Sequence, residues 1–356
     1  MQNKNFPNEF QEQYIHCDQL NTISSFKDKI LFKKHTDKIN HIDLKKNLLM
    51  TSGDDDLIII IDLNTIKYVR LFYDILNGTK FSKFLEPLSS RIIYYGYKSF
   101  RLYVYDFLRE QILIVVNLPR RKLTHFEFNN KTNIIITTQE KDSIIWTLEE
   151  KKLNPEYNIK NSYYSIIDDN KQNIISWVRN VNEKNKINNV ISIYKYEINN
   201  NLIIEKEKDL IVNFEREIKL MNYFKNSEQY LLILMSEFSI EIIDLENNGQ
   251  NICEINLYQN KDLNFTCFEP VFTKEIIIGY NNGEVDLLNP FKDNKNIKLV
   301  IENKYNKDKQ IEKLLRDGVN DEILHESSVI QIKLSDYYPL YVSIADEMII
   351  YQRKNN

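Results

Sequence analysis

The stretch Ile39-Asn40-His41-Ile42-Asp43-Leu44 carries apolar side chains at positions 0, +3 and +5, and this spacing returns along the chain. Leu123, Phe126 and Phe128 repeat it, as do Ile218, Met221 and Tyr223, and finally Val329, Ile332 and Leu334. Weaker copies begin at Phe81 and Phe265, and a poor one near Tyr163. The starts recur at intervals of about 40 to 65 residues, which brackets the ~40 to 45 residues of a four-stranded propeller blade. Seven starts predict seven blades.

Each start leads into short β-branched and aromatic runs set between Asn, Asp, Lys and Gly clusters. Leu57–Leu63, Arg101–Tyr105, Gln111–Val116, Asn133–Thr138, Val190–Tyr196 and Glu275–Gly279 are examples. Period-two patterning dominates and helical periodicity is scarce, which predicts an all-β chain. Gly and Pro number only 7 each. Asn and Asp are therefore expected to make most turns, because their short side chains tolerate positive φ and bond the nearby backbone. The last unit, Ser328–Gln352, has room for three strands, and Ile23–Phe32 reads as a strand that supplies the fourth. Closure of this kind removes the exposed edges of an open sheet. On this organisation residues 1–20 are a polar tail and residues 21–356 a single seven-bladed propeller. Glu302–Glu326 is then an insertion between blades six and seven, with Ile311, Leu314 and Leu315 at helical spacing.

The third strand of each unit ends in an aromatic or aliphatic residue followed by a polar one: Ile61-Asp62, Tyr105-Asp106, Trp146-Thr147, Ile243-Asp244 and Leu288-Asn289. These read as degraded copies of the Trp-Asp dipeptide of WD repeats. Six residues earlier the pattern expects an Asp. Asp55 fits, Glu140, Glu237 and Asn282 approximate it, and Ser99 and Ala345 do not. An Asp there bonds turn backbone and a histidine such as His35, so His35 and Asp55 are read as a structural corner and not as chemistry.

The words Thr36-Asp37-Lys38-Ile39-Asn40-His41-Ile42-Asp43-Leu44 and Ser52-Gly53-Asp54-Asp55-Asp56-Leu57-Ile58 resemble the first blade of a WD-repeat subunit. That subunit is shared by COMPASS-type histone methyltransferase complexes and by a nuclear phosphatase and RNA 3′-end-processing assembly. The likeness returns at Gly279-Tyr280-Asn281-Asn282-Gly283 and in His325 to Tyr351, while Ser162 to Tyr258 matches only in length and strand rhythm. The resemblance implies a non-catalytic, nuclear scaffold, a monomeric subunit of a hetero-complex. Its relatives hold a short methyltransferase segment and contact the serine-phosphorylated tail of RNA polymerase II.

Composition narrows the alternatives. Lys plus Arg is 47 against 51 for Asp plus Glu, a net charge of -4, so the global basic field of a dedicated nucleic-acid binder is missing. Cys17, Cys253 and Cys267 are odd in number and far apart, which supports neither a disulfide framework nor a Cys-based zinc site. His16, His35, His41, His125 and His325 make no His-x-x-x-His pair, so no metal or other cofactor is expected. Runs such as Leu57–Ile61 and Tyr230–Met235 fall far short of the roughly 20 residues of a membrane helix, so a soluble, unsecreted chain is expected. Carboxylates adjacent in a turn, as in Asp54–Asp56 and Asp168-Asp169, point apart, which argues against paired acid and base work. With no phosphate loop or nucleophile elbow either, the expectation is no enzyme.

One loop surface stands out. On a propeller, the loops joining successive units share a face with the turns between second and third strands. Lys98, Arg101, Arg120, Arg121, Lys122 and Lys141 then neighbour one another. Such a patch suits a phosphorylated peptide, because guanidinium forks match phosphate; a solvated loop with incidental charge is the alternative. Pro119-Arg120-Arg121-Lys122 also resembles the paired arginines of phosphoinositide-binding trafficking propellers, with Lys where those have Gly. A WD scaffold of another assembly, such as a ubiquitin ligase, is the remaining reading. Tyr94, Tyr95, Tyr97 and Phe100 are expected mostly to fill space between blades.

Overall fold

The structure is a computed structural model. It describes residues 30–32, 35–63, 67–73, 78–85, 90–181, 187–198, 201–212, 217–224, 230–257, 263–271, 275–283, 285–288, 290, 297–301, 327–334, 340–344 and 348–352. The polar tail 1–20 and the insertion 302–326 lie outside these residues. The described chain is all-β.

Ile30–Phe32 is β1. Ile39–Lys45, Leu48–Gly53, Leu57–Asp62 and Lys67–Tyr73 (β2 to β5) form sheet one. Thr79–Phe84, Arg91–Gly96, Arg101–Asp106 and Gln111–Asn117 (β6 to β9) form sheet two. Leu123–Asn129, Ile134–Gln139, Asp142–Leu148 and Leu153–Lys160 (β10 to β13) form sheet three. Ser162–Asp168, Asn173–Val181, Ile187–Ile198 and Leu202–Ile211 (β14 to β17) form sheet four. Leu220–Tyr223, Leu231–Met235, Ser239–Asp244 and Gln250–Leu257 (β18 to β21) belong to sheet five. Phe265–Val271, Glu275–Tyr280 and Val285–Leu288 (β22 to β24) make sheet six. Ile297–Ile301 (β25) does not complete it and instead pairs parallel with β21 as a fifth strand of sheet five. Gln331–Leu334, Leu340–Ile344 and Met348–Gln352 (β26 to β28) make sheet seven, to which β1 adds.

Five of these sheets are four-stranded and antiparallel, the blades of a β-propeller. Of the strand expected over Ile23–Phe32, residues 23–29 lie outside the described residues, and the described part closes on sheet seven: Ile30 faces Ile350, Leu31 faces Ile349 and Phe32 faces Met348. Among the described residues sheet six has three strands, and β25 lies at the edge of sheet five.

The 0, +3, +5 spacing has a mechanical cause. In sheet one the pairing runs Ile39 to Gly53 and then His41 to Ser52, so Asn40 is an extra residue. A β-bulge restores period two across an odd spacing, so positions 0, +3 and +5 share one face. The same slip falls at Lys80, Thr124, Tyr163 and Thr266. In sheets five and seven the amides of Lys219 and Ile330 reach Met235 and Ile344, the residues already opposite Leu220 and Gln331. This register corrects two starts: sheet two counts from Thr79, not Phe81, and sheet four from Ser162, not Tyr163.

The face so formed packs on the preceding sheet. Ile39 and Ile42 meet Val342 and Ile344, Phe126 meets Ile93 and Tyr95, Met221 meets Trp177, and Ile332 meets Cys267 and Ile277. The core is thus a set of seams between successive sheets, running from sheet one to sheet seven and back to one. Of the four aromatic residues near the sheet-two turn, Tyr94 and Tyr95 are buried in seams, and Tyr97 and Phe100 are partly exposed.

Two seams use hydroxyls where the others use hydrocarbon. Ser82 donates to Ser52 across the seam between sheets one and two, at 3.0 Å. Between sheets three and four, Ser162 and Ser165 at positions 0 and +3 join Ser143 and Ser176 in a fully buried cluster with contacts of 2.6–3.0 Å. Each of these serine hydroxyls is bonded to another, which offsets the cost of burying it, whereas the buried Thr79 hydroxyl at position 0 of sheet two finds no partner among the described residues.

Turns follow the composition only in part. Left-handed φ falls on Asp56, Asn133, Asn161 and Asn248, but also on Lys46, Phe100, Glu110, Glu140 and Gln172. The carboxylates ending several strands act as turn caps. Asp106 accepts from the amides of Leu108 and Arg109 and from the Ser90 hydroxyl, and Asp244 accepts from those of Glu246 and Asn247.

Ser162→Ala should destabilise the protein by about 1–3 kcal/mol, because Ser143, Ser165 and Ser176 lose a common partner. Denaturant unfolding checks this, and a loss below about 0.5 kcal/mol would show that the cluster is not cooperative.

Candidate functional site

The sheet-one corner is built around Gly53. A Cβ there would lie 2.8 Å from Asp55 Oδ1, 2.9 Å from His35 Nδ1 and 2.9 Å from the Lys38 carbonyl, so only glycine admits the approach. His35 Nδ1 donates to Asp55 Oδ1 at 2.9 Å, and its Nε2 bonds the Thr51 hydroxyl at 2.9 Å. The amides of Thr36 and Leu57 also donate to Asp55. Burial alone would raise the Asp55 carboxyl, but the His35 bond and charge and the two amides outweigh it and hold it below its ordinary range. Thr51 completes this corner and was not legible in the motif.

The other turn carboxylates diverge, each to its own partner. Asp54 accepts from Asn40 at 2.6 Å, and Asp56 accepts from the Gly78 amide and from Lys98. Asp168 accepts from the Asn170 amide, and Asp169 from Asn129. Glu237, a position expected to mimic Asp55, pairs with Lys219 instead.

The six cations read from the sequence are all exposed. The loop carrying Arg120, Arg121 and Lys122 is fastened to the Lys141 turn by Gln139, whose side-chain amide donates to the carbonyls of Pro119 and Arg121 at 3.2 and 3.3 Å. Arg121 and Lys160 share Asp142 at 3.6 and 3.7 Å. Among the described residues Arg120, Lys122 and Lys141 have no carboxylate partner. Lys98 stands apart, turned to Asp56 at 3.3 Å, and Arg101 is held by the Asn117 side chain at 2.8 Å. Sequence reading missed Lys80, the bulge residue of β6. Its ammonium donates to the Leu123 carbonyl at 3.1 Å, next to Lys122. Burial, then the neighbouring charges of Lys122 and Lys38, push its pKa down, while Asp54 opposes them. Counting from Thr79 would have exposed it.

The inner strands converge on the axis. Position +4 of the seven starts reads Asp43, Lys83, Glu127, Ile166, Asn222, Glu269 and Lys333, and position +2 reads His41, Phe81, His125, Tyr164, Leu220, Cys267 and Gln331. Lys333 bonds Glu269 at 3.2 Å and also interacts with Glu127 and Asp43 on other sheets. Burial alone would lower its pKa, but these carboxylates outweigh that and raise it. His125 stacks on Tyr164 with ring centres 3.9 Å apart, and His41 meets Phe81 edge-on at 5.7 Å. Burial holds the His125 imidazole down to about 4, Lys83 and Lys333 adding to the shift and Glu127 opposing it. Burial likewise lowers His41 well below its usual value, with help from Lys83, Lys333 and His125. Both rings are therefore neutral plugs and not acid–base groups at neutral pH.

Among the described residues no group of three or more His, Cys, Asp or Glu side chains could hold a metal ion, and no helix is long and apolar enough to cross a membrane. Cys253 and Cys267 are free and buried, and burial pushes both thiols up to about 12, which leaves them unreactive. A scan against protein-family models finds no match, and neither does a search of curated proteins. The class therefore rests on architecture: a β-propeller, consistent with a protein-interaction scaffold.

Two outcomes are expected here. Gly53→Ala should cost about 1–3 kcal/mol by overpacking the corner, read as a lowered denaturation midpoint. Because the folded state holds His125 at about 4 while an unfolded histidine titrates near 6.5, the unfolded chain binds the extra proton between these values. Stability should then fall by as much as about 3 kcal/mol as pH drops from 6.5 to 4. His125→Phe, which keeps the ring stack, should flatten this slope; an equally steep melting profile would show that other groups set it.

Proposed function

We propose that this chain is a seven-bladed WD-repeat propeller acting as a non-catalytic scaffold subunit of a nuclear complex. That complex is a COMPASS-type histone lysine methyltransferase or a transcription-termination and RNA 3′-end-processing assembly. The seven seams and the His35–Asp55–Thr51 corner support the repeat reading. The resemblance of the sheet-one words supports the nuclear assignment. Partners on this reading are a segment of the methyltransferase and the phosphorylated tail of RNA polymerase II.

One observation carries the binding mechanism. Arg120, Lys122 and Lys141 lie on loops joined by Gln139, with no carboxylate partner among the described residues and with Lys80 behind. Like charges gathered without counter-ions favour an anionic ligand, and a phosphate accepts charge-assisted bonds from several at once. Recognition is then binding by a rigid ring, with nothing to transform the ligand.

Arg120→Glu combined with Lys122→Glu should leave the melting temperature within about 2 °C, since exposed charges contribute little to stability. It should weaken capture of a serine-phosphorylated polymerase-tail peptide by tenfold or more, measured by fluorescence anisotropy at fixed salt. Unchanged capture removes the patch from the mechanism. Preferential binding of phosphoinositide vesicles, lost in the same variant, would favour a trafficking propeller. Affinity purification of the full chain tests the assembly: a SET-domain methyltransferase among stoichiometric partners supports the nuclear reading, and ligase or trafficking components overturn it.

A further inference from the structure

The outer strand of each propeller sheet leaves one row of backbone groups unpaired, and here that row is already used once. β25 pairs in parallel with β21, Cys253 facing Ile297 and Leu257 facing Ile301. It begins just beyond a second bulge, where Ile252 is the extra residue between Asn251 and Cys253. β9 has the same bulge at Leu113 and the same continuation, because the Leu118 amide bonds Phe100 O as the Leu257 amide bonds Phe238 O, at 2.8 and 2.9 Å. Ile114–Leu118 is thus the structural counterpart of Cys253–Leu257.

The two strands are buried alike up to that point and diverge after it. Residues 250–253 and 111–114 follow the same order of exposure. Then Glu254, Ile255 and Asn256 are each more buried than Val115, Val116 and Asn117. Val115 is 48% exposed and so is Ile112. The other described outer strands carry charge in the matching segment: Arg70 in β5, Lys160 in β13, Lys208 and Asp209 in β17. Charges and prolines discourage pairing at an edge, although β21 pairs despite Glu254, and Ile114-Val115-Val116-Asn117 has neither.

We infer that the β9 edge takes an added parallel strand from a partner protein, an aliphatic extended segment followed by acidic residues. The acidic flank follows from direction. A strand parallel to β9 ends beside Arg101, which Asn117 holds, and beside the exposed Arg120 and Arg121. The chain's own added strand has this form in sequence, Ile297-Lys298-Leu299-Val300-Ile301-Glu302. Backbone pairing supplies affinity and alternate side chains supply selectivity. This rests on the scaffold reading above and adds a second contact to it.

The test uses the full chain and a fluorescein-labelled synthetic peptide, Ile-Lys-Leu-Val-Ile-Glu-Glu-Glu, followed by anisotropy. Saturable binding is expected. N-methylation of alternate peptide amides, which keeps the side chains and removes the hydrogen bonds, should weaken it at least tenfold. Val115→Lys should do the same with an unchanged melting curve, and a Lys-Lys-Lys tail should weaken it at least fivefold. Absence of binding, or binding indifferent to N-methylation or to Val115→Lys, overturns the inference. A dimer of the peptide-free protein that Val115→Lys dissociates would assign the edge to a second copy and overturn it too. Strand-peptide binding with no phosphopeptide capture would sink the loop-face reading alone, and the reverse would sink only the strand edge.

Discussion

The bulge one residue into each inner strand is the constraint on which the molecule depends. Without it, positions 0 and +3 would lie on opposite faces, and no sheet could present its Ile39 and Ile42, or their equivalents, to the sheet before it. Bulges also increase local twist, and strongly twisted sheets are what allow small blades to be set around an axis. A single extra residue thus converts separate sheets, each too small to hold together alone, into a ring of seams. Among the described residues the apolar core is divided among these seams, so each sheet relies on the neighbours that cover its faces.

What was legible in the sequence was whatever hydrocarbon wrote. Ile39, Leu123, Ile218 and Val329 announce their seams because large apolar side chains recur at a fixed offset. Sheets two and four were misplaced by two residues and one residue because Thr79, Ser82, Ser162 and Ser165 carry the same positions with hydroxyls. Polar residues at a core position are invisible to hydrophobic patterning, and only the partners Ser52, Ser143 and Ser176 make the serines intelligible. Lys80 was missed for the same reason, since its place depends on counting from Thr79. The diversion of β25 to sheet five was beyond reach, because a strand's partner is set by geometry and not by its own residues.

The charges show a division of labour by depth. Around the axis, Asp43, Lys83, Glu127, Glu269 and Lys333 alternate in sign and satisfy one another, with neutral His41 and His125 one step above. On the loop face, Arg120, Lys122 and Lys141 share one sign and have no such internal answer among the described residues. Balanced charge specifies how sheets register around the axis, whereas unbalanced charge at the rim creates a field that reaches solvent. The sheet-one corner lies between them, where His35, Asp55 and Thr51 spend their polarity wholly on the fold.

The pairing of β1 with β28 has a temporal meaning. Ile30 and Ile350 lie at opposite ends of the described chain, so this contact cannot form until synthesis has passed Gln352. Long-range contacts of this kind are slow because the chain must surrender loop entropy before they return anything. Until then the seam between sheets seven and one, with Ile39, Ile42, Val342 and Ile344, faces water, and β28 offers an open edge. Until β28 has been made and has met β1, the nascent propeller is therefore an unclosed arc, vulnerable to aggregation through that edge.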